Sequence, residues 1–365
     1  MLRSISVIFI VVYLTTTVLC VGAKLPLCDH GKDSYGKWVR MEDVKRMSNH
    51  EEFINSHFLG GSPGEATNFS QIWIPDNCAV HRFTQNSTQA MVLATLKKLK
   101  QDTPLRIIFL GDSATRGLYC GITRILSGSE HFGPCSNAVC GTTGTNPVTH
   151  KHTHKLFDEP FGPNLTLSYM YIKSLSDKYT NWMVEGNIGK KPYALVLNTG
   201  AWDFDHVARK HMNEIAGAEC DQQESKKVSL DRIAPTIVAN FVEYGGLAKG
   251  LGVRAIYRNN HYNSRFGALC ADIRLEKAIQ NTSWEIWDNR RISIDIWKNS
   301  TYDGFHFDRH NVHTPTHHAQ IMALDRELGK DVPGALEIQL AQSLLFSLFR
   351  DVIPEYVDSL SSTHV

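Results

Sequence analysis

The sequence predicts a three-layer α/β fold with a mainly parallel β-sheet, on the basis of two observations. Short runs that are apolar at every position, as in strands covered on both faces, recur after residue 103. Amphipathic runs of helical period lie between them, and such alternation is typical of a parallel sheet with helices on both faces. The predicted strands are residues 106–110, 166–172, 193–198, 253–257 and 292–296.

The helices are predicted from apolar spacing and from capping residues. The helix at 89–100 is expected to bury Met91, Val92, Leu96 and Leu99 on one side. The last helix is apolar enough to be a core-packing helix, which we favour over a membrane or partner helix. The predicted helices span 89–100, 115–126, a run after Pro235 that ends near Gly250, a run from Thr314-Pro315 to before Gly329, and 335–350.

Residues 1–23 form an N-terminal leader. Arg3 precedes an apolar stretch over 5–20, and the small residues Val21-Gly22-Ala23 match a cleavage site, so a signal peptide is predicted. The stretch is nearly long enough to cross a bilayer, and a retained signal anchor is the alternative. Either places the rest of the chain in the secretory pathway, secreted or in the Golgi lumen. We divide that part into a Cys-containing N-terminal segment, 24–102, and an α/β domain, 103–365.

Glycosylation sequons and cysteines agree with that compartment. Seven cysteines follow the leader; in an oxidising lumen most should pair, and the odd number leaves one over. Their spacing does not fix the pairs. Five Asn-x-Ser/Thr sequons are present, at Asn68, Asn86, Asn164, Asn281 and Asn299.

Charge and ligand patterns exclude two classes of function. The formal net charge is +1, so the chain has no basic field and nucleic acid is not an expected partner. The cysteines lack CxxC spacing, and the alternating His150, His152 and His154 have no carboxylate or thiolate at ligand spacing. No metal site is therefore predicted.

The chemistry is predicted at the ends of the strands. Gly111-Asp112-Ser113 directly follows the strand 106–110, so Ser113 lies where open α/β sheets bind ligands and where the amides of the next helix stabilise negative charge. A serine nucleophile needs a base and an acid that orients it. Asp303 and His306 are candidates, three positions apart on a predicted loop. The alternative is a loop with a local hydrogen bond, and we expect Asp112 to brace its turn rather than act as the catalytic acid.

Two further strand ends carry candidate binding residues. In Asn198-Thr199-Gly200-Ala201-Trp202, the Asn198 side chain and a nearby amide could donate to an oxyanion; the alternative is an Asn-Gly turn. In the segment 257–262, Arg258 could bind a carboxylate or phosphate, and its alternative is an ordinary salt bridge.

These four strand-end blocks, in this order, resemble the SGNH/GDSL hydrolases and, within them, the PC-esterase group: the trichome-birefringence-like polysaccharide O-acetyltransferases and the neurexophilin-and-PC-esterase proteins. The resemblance extends upstream through Cys28, Trp38 and 73–83. It implies an SGNH-type fold with a Cys-containing N-terminal elaboration. It also implies that Ser113 is the nucleophile, His306 the base and Asp303 its orienter. The residues it implies for the oxyanion or substrate are Gly111, Asn198, Gly200, Trp202, Arg258 and His261.

The resemblance further implies acyl transfer without a tightly bound cofactor, with acetyl-CoA or an acetyl ester as a possible acyl donor. If a sugar hydroxyl takes the acetyl group, the chain is a glycan O-acetyltransferase, which is the hypothesis we favour. If water takes it, the chain is a carbohydrate or lipid esterase. A non-enzymatic, secreted glycan-binding protein is the third reading. A membrane is a partner only if the leader is retained.

Overall fold

The structure of the protein, a computed structural model, describes residues 25–29, 31–59, 71–128, 156–172, 175, 178–198, 224–260, 273, 275–294 and 335–362. The strands are β1 (Gly36–Arg40), β2 (Phe58–Leu59), β3 (Gln71–Pro75), β4 (Val80–His81), β5 (Leu105–Gly111), β6 (Phe157–Phe161), β7 (Leu165–Tyr171), β8 (Ala194–Leu197), β9 (Arg254–Arg258) and β10 (Glu285–Trp287). The helices are α1 (Met41–Lys45), α2 (His50–His57), α3 (Gln85–Leu99), α4 (Ser113–Ser127), α5 (Lys178–Ile188), α6 (Glu224–Gly250), α7 (Arg290–Ile294), α8 (Ala335–Phe349) and α9 (Ile353–Ser362).

Six of the described strands form one sheet, in the order β10-β9-β8-β5-β7-β6. All neighbouring pairs are parallel except β6 and β7, which are antiparallel. The strand that precedes Ser113, β5, therefore lies inside the sheet with β7 on one side and β8 on the other. This confirms the predicted fold class, an α/β protein with a mainly parallel sheet.

Alternate residues of β5 pack into two separate cores, because successive side chains of a strand point to opposite faces. Ile107 and Phe109 belong to a core that includes residues of α4 and α8. Ile108 and Leu110 belong to a second core that includes residues of α5 and α6. Helices thus cover both faces of the sheet, which makes the fold three-layered.

Four of the five predicted strands are confirmed to within one residue at each end, as β5, β7, β8 and β9. The fifth, at 292–296, is wrong: Ile292 lies in α7, and the edge strand is the earlier Glu285–Trp287. Local side chains favour the helix here. Asp288 accepts a hydrogen bond from the Arg290 amide (3.2 Å), and the Ser293 hydroxyl donates back to the Asn289 carbonyl (3.2 Å). The bond from Asp288 satisfies an orphan amide in the first turn of α7, and the bond from Ser293 satisfies a buried hydroxyl within the helix.

The predicted helices at 89–100, 115–126 and 335–350 are confirmed as α3, α4 and α8. The prediction that Leu99 is buried is wrong, since it is 49% exposed at the end of α3. The helix α6 begins at Glu224 and passes through Pro235 rather than starting after it. Its later turns bury Ile237 and Phe241, and this packing offsets the hydrogen bond that proline removes. The predicted helix from Thr314 lies outside the described residues.

The last long helix, α8, is a core-packing helix as predicted. Its predicted apolar face is buried against α4 and the sheet, and comprises Leu336, Leu340, Leu344, Leu345, Leu348 and Phe349. Within the described ranges, no helix has both the length and the apolar character needed to cross a membrane.

The N-terminal segment packs on α7 and α8. A disulfide joins Cys28 to Cys78, and both cysteines lie in the predicted Cys-containing N-terminal segment. The Trp38 indole donates to the Ile292 carbonyl (2.6 Å), and the Ser343 hydroxyl of α8 donates to Asp33 (2.5 Å). The Arg350 guanidinium donates to the Cys28 carbonyl (2.8 Å). These long-range bonds hold the segment to the helices on one face of the sheet.

His81, at the end of β4, is a buried histidine in this segment. Its Nδ1 lies 2.8 Å from the Leu59 carbonyl oxygen, so Nδ1 carries the proton and donates it. The ring packs edge-on against Phe83 and Tyr356, and Nε2 has no hydrogen-bond partner in the part of the chain that the structure describes. Burial lowers the pKa of His81 to about 4, because the imidazolium would lose its hydration.

This pKa predicts that the fold loses stability in mild acid. The unfolded chain binds the proton near pH 6.5 and the folded chain only near pH 4, so the loss develops as the pH falls between those values. A shift of this size corresponds to about 3 kcal/mol. In His81→Asn the amide can keep the bond to Leu59 but does not titrate. We therefore expect the free energy of unfolding of this variant, measured with urea from pH 7 to 4, to lack the fall that His81 causes in the wild type. Parallel stability curves for the two proteins would contradict the prediction.

Candidate active site

The candidate site lies at the point in the sheet where the strand order reverses direction. From β5 the chain crosses first to β7 on one side and then to β8 on the other. Ligands of open α/β sheets bind outside the carboxyl ends of the strands at such a switch point. The ladder continues to this edge: the Ile172 amide donates to the Gly111 carbonyl (2.9 Å), and the Asn198 amide donates to the Leu110 carbonyl (3.0 Å). Gly111 and Asn198 are therefore held at one edge on neighbouring strands.

Asp112 is the N-cap of α4. It has extended backbone angles, it is fully buried, and its Oδ1 accepts a hydrogen bond from the Ala114 amide (3.0 Å). A carboxylate in this position satisfies one of the orphan amides of the first turn and interacts favourably with the helix dipole. The prediction that Asp112 braces the turn is confirmed.

Gly111 allows the first turn of α4 to pack directly on the end of β5. A Cβ atom built on Gly111 would lie 2.8 Å from the Cβ of Thr115 and closer still to the Thr115 hydroxyl oxygen. Thr115 is fully buried, so it cannot move aside into solvent. The glycine is therefore required for the strand-to-helix turn, while its predicted contact with an oxyanion or substrate stays a prediction.

Ser113 is the first residue of α4, a helix of 15 residues. Its amide is one of the four amides at a helix N-terminus that have no partner within the helix. Such amides, together with the positive end of the helix dipole, form a site for anions. The two other predicted triad members, Asp303 and His306, lie outside the described residues.

Asn198 is fully buried at the end of β8, and its side-chain amide is already used. Nδ2 donates to the Arg258 carbonyl (2.8 Å) and lies 3.3 Å from the Asn260 Oδ1. Because a carbonyl accepts but never donates, the bond to Arg258 fixes which end of the amide carries the hydrogens. Oδ1 has no partner. In this conformation the side chain ties β8 to β9, and donation from it to an oxyanion stays a prediction.

Arg258, Asn259 and Asn260 are all buried at the carboxyl end of β9. The carboxylate or phosphate ligand predicted for Arg258, and its alternative of an ordinary salt bridge, both stay predictions. Gly200, Trp202 and His261, the other predicted binding residues, lie outside the described residues.

A polar cluster behind this edge was not predicted from the sequence. The Asn259 amide donates to Glu276 (3.0 Å) and to Asp288 (2.8 Å), while its Oδ1 accepts from the Asn289 amide (2.9 Å). Burial raises the pKa of Glu276. The Arg290 guanidinium, which contacts both Glu276 carboxylate oxygens at 2.5 Å, acts in the opposite direction and lowers it. The cluster joins three separate stretches of the chain, at 259, 276 and 288–290, so no local sequence pattern indicates it. It holds β9, β10 and α7 together at the site's edge.

The described residues contain no group of three histidine, cysteine, aspartate or glutamate side chains arranged to hold a metal ion. The acid and amide groups named above are instead joined to one another by hydrogen bonds or to arginine.

No protein-family model and no curated protein matches the chain. Among solved structures, the acetylxylan esterase Axe2 from Geobacillus stearothermophilus is 18% identical over 63% of this chain and 97% of its own, with a TM-score of 0.34. A proposed acylhydrolase from Bacteroides fragilis is 13% identical over 65% of this chain and 98% of its own, with a TM-score of 0.26. At these identities and TM-scores neither likeness bears on what this chain does.

Proposed function

We propose that this protein transfers acyl groups, and acetyl groups in particular, through a covalent intermediate on Ser113. The observation that carries the proposal is the position of Ser113 as the first residue of α4, directly after an interior strand and at the switch point of the sheet. A nucleophile there attacks a carbonyl whose developing oxyanion faces the amino end of α4, where the Ser113 amide has no partner within the helix. The capped turn and the close packing at Gly111 support the rigidity that this geometry requires.

In the proposed mechanism, His306 accepts the proton of the Ser113 hydroxyl as Ser113 Oγ bonds to the acetyl carbonyl carbon. Asp303 orients the imidazole and stabilises its charged form. The oxyanion accepts hydrogen bonds from the Ser113 amide and from the region of Asn198. When the oxyanion collapses, the bond to the leaving alcohol or thiol breaks, and His306 returns the proton to it. A second hydroxyl then attacks acetyl-Ser113 while His306 takes its proton; the bond from the acetyl carbon to Ser113 Oγ breaks, and His306 returns the proton to Oγ.

We favour a glycan hydroxyl as the second nucleophile, which makes the protein a carbohydrate O-acetyltransferase of the secretory lumen. The predicted leader and the five sequons support this setting, where glycans are abundant hydroxyl-bearing partners. The same triad with water as acceptor gives an esterase, which is the second candidate. Retention of Ser113, Asp303 and His306 together argues against a binding protein without turnover.

The proposal is tested by trapping the intermediate. The full secreted chain is mixed with 4-nitrophenyl acetate, quenched in acid within the first turnover, and mapped by mass spectrometry. We expect one acetyl group on the peptide that contains Ser113. The matched control is Ser127→Ala, at the opposite end of α4, where the hydroxyl donates to the Arg124 carbonyl (3.1 Å); this variant should acetylate normally. Absence of an adduct on Ser113 in the active protein would refute the mechanism.

The two acceptors are separated by adding glycans to the same reaction. Acetylated sugar in excess of free acetate identifies a transferase, whereas free acetate that is unaffected by any glycan identifies an esterase.

Sequencing the N-terminus of the mature protein tests the leader: cleavage near Ala23 is expected for a signal peptide, and an intact N-terminus indicates an anchor.

A further inference from the structure

Tyr169, a residue of β7, contacts the turn that carries Ser113. Its side chain is 1% exposed, and its hydroxyl lies 3.1 Å from the Asp112 carbonyl oxygen and 3.3 Å from the Gly111 carbonyl oxygen. The ring is held in place by Tyr119 of α4, with ring centroids 5.6 Å apart. A phenol can only donate to a carbonyl, so one buried hydroxyl binds two successive peptide groups of this turn.

The two carbonyls also have backbone partners, so their peptide planes are held from two directions. The Gly111 carbonyl accepts from the Ile172 amide (2.9 Å), and the Asp112 carbonyl accepts from the Arg116 amide (3.0 Å). A carbonyl oxygen has two lone pairs, so each carbonyl can accept from its backbone partner and also from Tyr169, whose single hydroxyl hydrogen is shared between the two. The orientation of each peptide group is thereby set by one ladder or helix bond and by the phenol.

The peptide group whose carbonyl belongs to Asp112 is the one whose N–H belongs to Ser113. In a planar trans peptide the C=O and N–H bonds point in opposite directions, so fixing the Asp112 carbonyl fixes the direction of the Ser113 amide. A hydrogen bond to the carbonyl also polarises the peptide group, which makes its N–H a stronger donor. Both effects act on the amide that would hold the oxyanion.

We infer that Tyr169 is a positioning residue that aims and polarises the Ser113 amide toward the oxyanion. This inference rests on the proposed function of Ser113. Tyr169 acts through the peptide group and not by contact with the substrate. Its hydrogen bonds therefore stabilise the transition state, in which the oxyanion develops, and not the bound substrate. Removal of its hydroxyl should lower kcat for acetyl transfer and leave KM unchanged.

Tyr169→Phe removes the hydroxyl and keeps the ring, and the chain offers a matched control. The Tyr193 hydroxyl donates to the Leu348 backbone carbonyl (2.8 Å) at the amino end of β8, the opposite edge of the sheet. Tyr193→Phe therefore deletes a phenol-to-carbonyl bond far from the candidate site, together with an interaction of the hydroxyl with Arg254. We expect both variants to lose about 2–4 °C of Tm, as one hydrogen bond allows in a chain of this size.

The variants should differ in catalysis. With 4-nitrophenyl acetate as the probe, the first-turnover rate of Ser113 acetylation should fall roughly 10- to 100-fold in Tyr169→Phe, because a misaimed oxyanion donor forfeits part of its effect. Tyr193→Phe should acetylate like the wild type. Equal acetylation rates in the two variants would overturn the role of Tyr169 while leaving acetyl-Ser113 intact. A wild type that never acetylates Ser113 would overturn this inference together with the proposed function.

Discussion

Ser113→Ala is expected to lower kcat for acetyl transfer roughly 10⁴- to 10⁶-fold, since it removes the only atom that bonds to the acyl carbon. The fold should persist, because the helix that begins at residue 113 is capped by Asp112, whose carboxylate accepts a hydrogen bond from the Ala114 amide. Tm should therefore stay within about 2 °C of the wild type. The measurement is stopped-flow release of 4-nitrophenolate, combined with thermal unfolding of the same samples.

The matched control for that experiment is again Ser127→Ala. Both changes remove one hydroxyl from α4, but Ser127 ends the helix, away from the strand that carries the turn. We expect the Ser127 variant to keep its full burst of nitrophenolate. A Ser113→Ala protein that is folded and retains more than about a tenth of wild-type kcat would show that a different residue carries the reaction.

Gly111→Ala is expected to destabilise the fold by about 3 kcal/mol, the upper end for overpacking a core. The added Cβ would lie 2.8 Å from the Cβ of Thr115 and closer to its hydroxyl oxygen, and both groups are buried where β5 meets α4. Neither backbone can retreat, since the Gly111 carbonyl is bonded to the Ile172 amide and Asp112 caps the helix. The residual folded protein should also lose roughly 100-fold in kcat, because the turn that carries Ser113 has to shift.

Two further variants make this prediction specific to the close packing. Gly246→Ala, at an exposed position of α6 with no atom within 4 Å of the added methyl, should stabilise the protein by about 0.5–1 kcal/mol. The double variant Gly111→Ala/Thr115→Ala should recover part of the lost stability, since the hydroxyl is gone while the two Cβ atoms stay 2.8 Å apart. Urea unfolding measures all three. A Gly111→Ala variant as stable as the wild type would show that the turn is not held as tightly as the structure indicates.

The strand-to-helix turn that carries Ser113 was predictable because it depends on local structure. A fully apolar run followed by Gly111-Asp112-Ser113 specifies a buried strand, a turn and a helix start, and the structure confirms all three together with the capping role of Asp112. The wrong strand prediction at 292–296 also has a local cause. Isoleucines at alternating positions predicted a strand at 292–296, but the hydrogen bond from the Arg290 amide to Asp288 favours the start of a helix there.

The sequence by itself determined which segments become strands and helices, and which polar residues follow the strands, because apolar period and capping act over a few residues. Only the tertiary structure decided that β8, β5 and β7 are neighbours, and hence that the turn at Ser113 lies at the switch point. It also decided where polar groups point: the Asn198 amide is turned to β9, and the Tyr169 hydroxyl is turned to a carbonyl 57 positions earlier in the chain. Such contacts depend on strand order and register, which arise from burial of the whole sheet and leave no mark in any short stretch of sequence.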